Sequence, residues 1–394
     1  MDAITTTATA TRTYPFDQLV FCPDDVDLTC SPMAGSIDAE TYVLGAFNPG
    51  MARLPNGNLL LMVRIAEALK TPIFDGQVHA IRFDEDKGYV LDGWPLELAN
   101  TADPRKFQLH GSGWKIMALT SLSWLLPVEL NAEGTQVVAV HYDRAIAPRG
   151  NYQCYGVEDA RISRVDGRWL MTTCSVSPER HSTTLYSSDN LLDWKFEGIV
   201  LDHQNKDMLI FEGLIGGKYW AQTRPLGSQF FAYPPGSAFQ SGPSVNLASS
   251  PDALHWMPDI HPHIRAHAGH QTERVGGGTP PILTEIAGQR GWLSLWHAVE
   301  QSQIVGIYRT YWSLLDPDEP WKCIATSHPP LLEAKPELTA PLEHQMYLRD
   351  VVFTTGIVEA DDHFIVASGE ADLACRITHI PKDMFVPSED PGAQ

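Results

Sequence analysis

The sequence is poor in basic residues and in cysteine, and each shortage makes certain classes of function less expected. It has 28 Lys and Arg against 48 Asp and Glu, which gives a formal net charge of −20. Such a chain repels the phosphates of nucleic acids and anionic lipids, so neither is expected as a partner, although a local basic cluster can still hold a small anion. The six cysteines are scattered without a Cys-x-x-Cys pair. A disulfide framework is therefore not expected. We expect a cytoplasmic location, where thiols stay reduced.

Long apolar runs and helical periodicity are scarce as well. No apolar stretch approaches the roughly 18 residues that a membrane span needs. The segment Met1–Arg12 is rich in Thr and Ala and has no basic start followed by an apolar run, so no signal peptide is predicted. In contrast, 29 prolines and 30 glycines suit short strands joined by many turns. These features predict an all-β chain.

A hairpin pattern recurs five times along the chain, each time as two apolar segments around a tight turn. The predicted turns are Pro55-Asn56-Gly57, Asp166-Gly167, Gly216-Gly217, Gln289-Arg290-Gly291 and Asp361-Asp362. Asn-Gly, Asp-Gly and Gly-Gly are strong short-range signals for a hairpin. Between the hairpins, Ser187–Trp194 resembles Ser249–Trp256, and we interpret both as the loop before the outer strand of a unit.

Five units of about four strands predict a five-bladed β-propeller, with a β-sandwich or two smaller β domains as the alternatives. We expect a single catalytic propeller domain over residues 31–385, an N-terminal extension over 1–30 and a C-terminal tail over 386–394. The segment from about 84 to 147 is longer than the spacing of the first two hairpins requires. It is a candidate for an acceptor-site loop or for the contact of a homo-oligomer.

The second strands of the repeats carry polar residues at near-equivalent positions, namely Arg64, Arg224 and His297. Inner strands of a propeller line its central channel. Because an arginine is costly to bury without an anionic partner, several of them at one channel indicate an anion site. The alternative is that each pairs with a structural carboxylate.

Two adjacent acids, Glu158 and Asp159, open the second hairpin. If this segment is a regular strand, its side chains alternate, so only one acid faces the cleft and the other binds Arg161 or the backbone. Nearby aromatic residues are suited to stacking on sugars: Tyr152, Tyr155, Trp220, Trp296 and Tyr308. One acid beside an anion site suits phosphorolysis, whereas hydrolysis with inversion needs two carboxylates about 6.5–9.5 Å apart.

These motifs together resemble glycoside hydrolase family 130, the inverting β-mannoside phosphorylases and β-mannosidases, which are five-bladed propellers. The resemblance extends roughly from Asn48 to Arg376. It rests on Glu158-Asp159-Ala160-Arg161, Asn205-Lys206-Asp207, Arg224-Pro225, Gly277-Gly278-Thr279-Pro280-Pro281-Ile282, Gly291-Trp292, Trp296-His297 and Gly369-Glu370-Ala371-Asp372.

The resemblance implies a role for each matching residue. Asp159 would be the general acid, acting directly or through a hydroxyl of the donor sugar. The residues implied to hold or adjoin that sugar are Asn48, Arg64, Glu158 and Asp372. Those implied to bind phosphate are Lys206, Arg224, His297 and Tyr308. The resemblance thus implies an inverting phosphorylase that converts a β-mannoside and inorganic phosphate to mannose 1-phosphate, with no metal or other cofactor.

Departures from the family pattern keep two alternatives open. Ala160 replaces the usual proline, and Gln222 stands where many phosphorylases have histidine. A glutamate at Glu212 favours an inverting β-mannosidase, with Glu212 or Glu273 as the base that activates water. A non-catalytic sugar-binding propeller is the further alternative.

Two other groups of residues carry less weight as functional sites. The histidines His261, His263, His267 and His270 lie in a Pro/Gly-rich segment without an adjacent carboxylate, so we interpret them as a polar loop and not as a metal site. Cys154 and Cys174 are expected to be small buried residues and not nucleophiles.

Overall fold

The computed structural model describes residues 12–110, 116–201, 204–225, 244–265, 272–300, 305–326 and 329–387. The side chains of 260–265, 272 and 273 fall outside this description. Strands dominate the described chain, and none of its helices has the length and apolar character needed to cross a lipid bilayer. The helical segments are α1 (Pro336–Thr339) and the 3₁₀ turns Pro23–Asp25, Leu28–Cys30, Leu96–Leu98, Tyr142–Arg144, Asn151–Gln153, Ala340–Gln345 and Lys382–Met384.

The strands are numbered in chain order. Those of the first half are β1 (Asp17–Phe21), β2 (Thr41–Arg53), β3 (Leu59–Leu69), β4 (Ile73–Phe74), β5 (Gln77–Asp84), β6 (Gly88–Pro95), β7 (Ala99–Asn100), β8 (Lys106–Leu109), β9 (Ile116–Leu119), β10 (Ser121–Leu130), β11 (Val137–Val140), β12 (Gly156–Val165), β13 (Arg168–Val176), β14 (His181–Ser188) and β15 (Lys195–Leu201). Those of the second half are β16 (Asn205–Ile210), β17 (Tyr219–Pro225), β18 (Ser244–Ser250), β19 (Met257–Arg265), β20 (Thr272–Gly277), β21 (Ile282–Ile286), β22 (Gln289–Glu300), β23 (Ile307–Leu315), β24 (Cys323–Thr326), β25 (Val352–Glu359), β26 (His363–Glu370) and β27 (Ala374–Pro381).

Hydrogen bonding arranges these strands, apart from β4 to β9, into five antiparallel blades, which confirms the predicted five-bladed propeller. Blade 1 is β2-β3-β10-β11, blade 2 is β12-β13-β14-β15 and blade 3 is β16-β17-β18-β19. In blade 4 the inner strand is divided into β20 and β21, which both pair with β22, and β23 and β24 follow. Blade 5 is β25-β26-β27-β1. Apolar clusters fill the spaces between neighbouring blades, as where Leu61 and Val63 pack with Ile365 and Ile377.

The ring is closed by strands that lie far apart in the sequence. β1 pairs antiparallel with β27 and is the outer strand of blade 5. Asp17 in β1 accepts hydrogen bonds from Arg376 Nε at 2.6 Å and Arg376 Nη2 at 2.9 Å. The predicted N-terminal extension therefore includes a blade strand, while the proposed outer limits of the domain stay a prediction.

Blades 1 and 2 join where Gly156 forms a parallel bridge with Ser123. Gly156 has a φ of 119°. A Cβ at this position would collide with the backbone of Ser123, so only glycine allows the two strands to approach this closely.

The inner strands of blades 1, 2 and 3 are each interrupted by a β-bulge. The register shifts between Phe47 and Gly50 in β2, between Glu158 and Arg161 in β12, and between Lys206 and Leu209 in β16. Inside each bulge lies a non-glycine residue with a left-handed backbone, namely Asn48 (φ 50°), Asp159 (φ 50°) and Asp207 (φ 53°). Asn and Asp tolerate this conformation better than other side-chain-bearing residues. A bulge redirects side chains, and of these three inner strands β12 contacts both β2 and β16.

Four of the five predicted turns lie where the sequence indicated. The exception is the turn of the fourth hairpin, which is displaced. β21 and β22 are joined by Ala287 (φ 51°) and Gly288 (φ 78°), so the turn precedes the predicted Gln289–Gly291. Positive φ at both residues is the geometry of a two-residue hairpin turn whose twist matches that of its strands. Gln289 consequently begins β22.

An insertion separates the second and third strands of blade 1. It consists of two three-stranded sheets, β4-β5-β6 and β7-β8-β9, and spans Ile73–Leu119. The long segment predicted over 84–147 is therefore composite, because β10 and β11 belong to the blade itself. The insertion packs beside β3 and β10 and brings its loop 103–106 to the end of the inner strands.

Candidate active site

A cavity of about 330 Å³ opens at one end of the inner strands. Cations outnumber acids on its wall, although the whole chain is strongly acidic. The cationic side chains are Arg64, Arg105, Lys106, Lys206, Arg224 and Arg274, and the acidic ones are Glu158, Asp159 and Asp372. Asn48 and Tyr308 also line it. Of the predicted catalytic, sugar-binding and phosphate-binding residues, only His297 lies off this wall.

Both acids of β12 face the cavity, so the expectation that strand alternation divides them was wrong. The bulge after Glu158 and the left-handed backbone of Asp159 break the alternation that a regular strand would have. Both carboxylates bind the same two cations. Arg161 instead points away, and its Nη1 donates to the backbone carbonyl of Asp159 at 2.9 Å.

Asp159 is buried among hydrogen-bond donors. Its Oδ1 accepts from Asn48 Nδ2 at 2.9 Å and from Arg64 Nη1 at 3.1 Å, and its Oδ2 lies 3.7 Å from Lys206 Nζ. Burial alone would raise the pKa of Asp159, but the charges of Arg64 and Lys206 outweigh it and hold the pKa well below its usual value. In the free protein Asp159 is therefore ionised.

Glu158 completes the acidic pair and supports the same cations. Its Oε1 accepts from Arg64 Nη2 at 2.7 Å, and its Oε2 lies 3.3 Å from Lys206 Nζ. Burial disfavours the charge of Lys206, but Glu158 and Asp159 offset this and raise the lysine's pKa. The four groups form one compact ion cluster at the floor of the cavity.

Asp372 and the insertion form another part of the wall. Burial raises the pKa of Asp372, although Arg64 opposes the shift. The backbone carbonyl of Asp372 accepts a hydrogen bond from Tyr347 at 2.8 Å. From the insertion, Arg105 reaches the cavity while Asp103 holds it by two hydrogen bonds of 3.0 and 2.8 Å. The charges of Arg105 and Asp372 interact.

Three of the four predicted phosphate-binding residues, Arg224, His297 and Tyr308, lie together, whereas Lys206 belongs to the ion cluster around Asp159. Arg224 Nη1 donates to Nε2 of His297 at 3.2 Å, and the ring centroids of His297 and Tyr308 are 5.6 Å apart. Arg274 stacks over Tyr308, with its guanidinium carbon 5.9 Å from the ring centroid. His297 is buried behind Arg224, and this burial together with the charge of Arg224 holds its pKa well below 6.5. It therefore contacts an arginine on the wall and does not reach the cavity.

Of the two alternative bases, the structure describes the side chain of Glu212, and this residue lies away from Asp159. Glu212 lines a separate cavity of about 220 Å³, which shares no lining residue with the first. Along β2 and β25 this second cavity lies at the opposite strand ends, next to Arg53 and Glu359. Burial raises the pKa of Glu212 to about 7. The side chain of Glu273 lies outside the described residues.

The residues given little weight as sites gain none from the structure. In the described part of the chain, no group of three or more His, Cys, Asp or Glu side chains is arranged to hold a metal ion. His267 and His270 and the side chains of His261 and His263 lie outside that part. Cys154 and Cys174 are buried, and burial raises the pKa of both thiols, to about 11 for Cys154.

Several wall residues were missed by sequence reasoning: His181, Arg105, Lys106, Arg274 and Tyr347. Arg274 precedes the glycine run of the predicted motif by two residues, and a cation at that place was a usable signal. The others lie outside the recurring hairpins, so no repeat indicated them. Asp207 was noted within its motif but given no role, and it is buried beside Arg224.

The fold and the site define a β-propeller with a polar cavity at the end of its inner strands, whose wall combines paired acids with several cations. Sequence comparison gives the family. The profile of the family described as beta-1,4-mannooligosaccharide phosphorylase matches residues 128–387. The chain therefore belongs to glycoside hydrolase family 130 and is an enzyme of the glycoside phosphorylase or glycosidase type.

Curated relatives and a solved structure agree with this assignment. A beta-1,2-mannobiose phosphorylase of Listeria innocua is 28% identical over 336 residues, covering 84% of this chain and 87% of the relative. A 1,2-beta-oligomannan phosphorylase of Thermoanaerobacter is 33% identical over 226 residues, covering 56% and 67%. The solved beta-1,2-mannobiose complex of the Listeria innocua enzyme superposes with a TM-score of 0.75 at 25% identity, covering 93% of this chain and 95% of that one.

Proposed function

We propose that this protein is an inverting phosphorylase of β-mannosides. An oxygen of inorganic phosphate attacks the anomeric carbon of the mannosyl residue, and the bond from that carbon to the leaving-group oxygen breaks. The leaving group takes a proton from Asp159, directly or through a hydroxyl of the donor sugar. The products are mannose 1-phosphate of inverted configuration and a shortened acceptor sugar.

One observation carries this proposal: the wall of the cavity joins an ion cluster around Asp159 to a second cationic group, Arg224 and Arg274 with Tyr308. Charge-assisted donors that converge from several strands suit a dianion. In a chain with a formal net charge of −20, a cavity wall with more cations than acids is unlike the rest of the protein and favours a local anion site. Phosphate as nucleophile also needs no catalytic base.

Hydrolysis has less support from the site. A water nucleophile needs a carboxylate base across the sugar from the acid. Glu158 lies beside Asp159 and is already bound to Arg64 and Lys206, while Glu212 belongs to the other cavity. The named relatives act on β-1,2-linked mannobiose or oligomannan, so these are the first substrates to test.

The proposal includes a cytoplasmic location. It rests on the six free cysteines, which fit a reducing compartment. It also includes an oligosaccharide and phosphate as the partners of the site, with no metal or other cofactor required by the chemistry.

The test is incubation of the purified protein with β-1,2-mannobiose, with and without inorganic phosphate. We expect mannose 1-phosphate to form with phosphate and no mannose to be released without it. In Asp159→Asn the rate should fall by about 100- to 10,000-fold, the range for loss of a general acid, while thermal unfolding shows that the variant is still folded. Equal cleavage in the absence of phosphate would instead identify a hydrolase.

A further inference from the structure

A buried chain of alternating charges runs behind the cavity wall. The carboxylate of Asp207 has no solvent exposure and lies between two arginines, with Oδ2 3.1 Å from Arg224 Nε and Oδ1 3.6 Å from Arg161 Nη2. Neither oxygen accepts a hydrogen bond from any side chain in the described part of the protein. The carboxylate is held there by opposite charge, and burying it without hydrogen bonds costs free energy.

The backbone of β16 sends two neighbouring charges in different directions. Lys206 reaches the cavity and binds Glu158 and Asp159, whereas Asp207 is buried and is absent from the cavity wall. The bulge and the φ of 53° at Asp207 produce this division. Asp207 therefore touches the site only through the arginines that it pairs with.

On one side of Asp207 lies Arg161, which is buried and contacts the backbone of its own strand β12 at Asp159. Its Nη1 donates to the backbone carbonyl of Asp159 at 2.9 Å, and its Nε donates to the carbonyl of Gly278 at 2.7 Å. Arg161 thereby ties the left-handed bulge of blade 2 to blade 4. The guanidinium of Arg161 also faces Asp207 of blade 3, so Arg161 connects the backbone of Asp159 to that blade.

On the other side lies Arg224, which reaches the cavity from between two partners. Nε faces Asp207, and Nη1 donates to Nε2 of His297, which accepts as a neutral ring. Gly276 leaves room for this pair, because a Cβ there would lie 2.5 Å from the ring of His297 and 2.9 Å from Arg224 Cδ. The guanidinium of Arg224 is thus held by the charge of Asp207 at Nε and by a hydrogen bond to His297 at Nη1.

We propose that Asp207 is a positioning residue for the phosphate-binding arginine of this enzyme. It fixes the guanidinium of Arg224 toward the cavity and, through Arg161, holds it in register with the backbone of Asp159. This inference rests on the proposed phosphorolysis and adds to it the residue that sets the placement of phosphate relative to the acid. Asp207 itself contacts neither substrate.

The first test is Asp207→Asn, which keeps the shape of the side chain and removes its charge. A misplaced charged group costs up to about 100-fold in efficiency. We expect the KM for phosphate to rise about 10- to 100-fold while the KM for the mannoside stays within about two-fold. A residue with a purely structural role would lower the amount of folded enzyme and leave the KM for phosphate unchanged. Asp207→Glu keeps the charge and should recover part of the affinity for phosphate.

The matched control is Asp17→Asn. Asp17 is another buried aspartate paired with an arginine, Arg376, but it lies between β1 and β27 and away from the cavity. This variant should lower the temperature of unfolding and leave both KM values unchanged. If the KM for phosphate rises as much in Asp17→Asn as in Asp207→Asn, the effect is general destabilisation and the inference fails.

A double-mutant cycle with Arg224→Gln tests the route of the effect and covers the case in which Asp207→Asn folds poorly. If Asp207 acts through Arg224, adding Asp207→Asn to Arg224→Gln should change the KM for phosphate by less than about two-fold. Fully additive effects, or a folded Asp207→Asn enzyme with the KM of the wild type, would overturn the inference. If the wild-type enzyme cleaves the mannoside at the same rate with and without phosphate, the proposed function itself is wrong.

Discussion

Asp159 is ionised in the free protein, yet a general acid must hold a proton when the glycosidic bond breaks. Arg64 and Lys206 keep the pKa of its carboxyl low. A dianion bound at Arg224 adds negative charge near these cations and lowers the positive potential at Asp159. Anion binding should therefore raise the pKa of Asp159, so that binding of the proposed nucleophile, phosphate, favours protonation of this carboxylate.

This coupling predicts proton uptake when a dianion binds. Sulfate is a suitable probe because it stays a dianion at mildly acidic pH, where phosphate titrates. Calorimetric titrations in buffers of different ionisation enthalpy should show proton uptake that increases as the pH falls toward the raised pKa. The uptake should disappear in Asp159→Asn. Equal uptake in the variant would assign the proton to another group.

At the scale of elements, the sequence indicated the hairpins but not the bulges that make the site. Gly57, Gly167 and Gly217 predicted their turns because tight turns need positive φ. The bulges at Asn48, Asp159 and Asp207 were missed, since one extra residue in a strand leaves no turn signature. For that reason strand alternation failed at Glu158 and Asp159, although eight of the nine predicted catalytic and binding residues line the cavity.

The insertion could not be placed from the sequence either, because the repeats carry no information about it. Arg105 occupies the wall beside Asp372, and its backbone carbonyl accepts from Thr120 N at 3.1 Å, which fastens the loop. A charged donor held in this way suits a hydroxyl of the sugar. We therefore infer that the insertion contributes to recognition of the mannoside and not of phosphate.

We therefore expect Arg105→Ala to raise the KM for the mannoside about ten-fold or more, since hydrogen bonds to charged groups contribute about 1.5–3 kcal/mol. The KM for phosphate should stay near that of the wild type. Arg82→Ala is the control, because Arg82 lies in the same insertion, pairs with Asp84 and Asp92, and is absent from the cavity wall. A change in the KM for phosphate alone would reverse the assignment of Arg105.

At the scale of the whole molecule, the ring depends on a few buried charges that join β1 to β27. Asp17 binds Arg376 and Thr378, and its carboxylate also pairs with Lys335 at 2.7 Å. Burial opposes the ionised form of Asp17, but the hydrogen bonds and charge of Arg376 outweigh it and lower its pKa below 3.8. Its stabilising effect is thus complete above pH 3.8 and is lost as the pH falls through the lowered pKa.

Asp17→Asn should accordingly destabilise the fold by up to about 3–5 kcal/mol at neutral pH, because it removes one of the two carboxylates that pair with the buried Arg376 and leaves Glu370 as the other. The difference from the wild type should shrink in acid, where Asp17 itself becomes protonated. Thermal unfolding at neutral and at acidic pH measures both effects. An equal loss of stability at the two pH values would show that the charge of Asp17 is not responsible.

The closure of blade 5 also has a consequence for biosynthesis. Arg376 leaves the ribosome 359 residues after Asp17. At 5–20 residues per second this interval is roughly 20 to 70 seconds. During that time β1 has no strand to pair with, and the apolar surfaces that blade 5 will cover stay open. Blade 5 can therefore complete its strand pairing only after β27 has been synthesised, later than the first four blades.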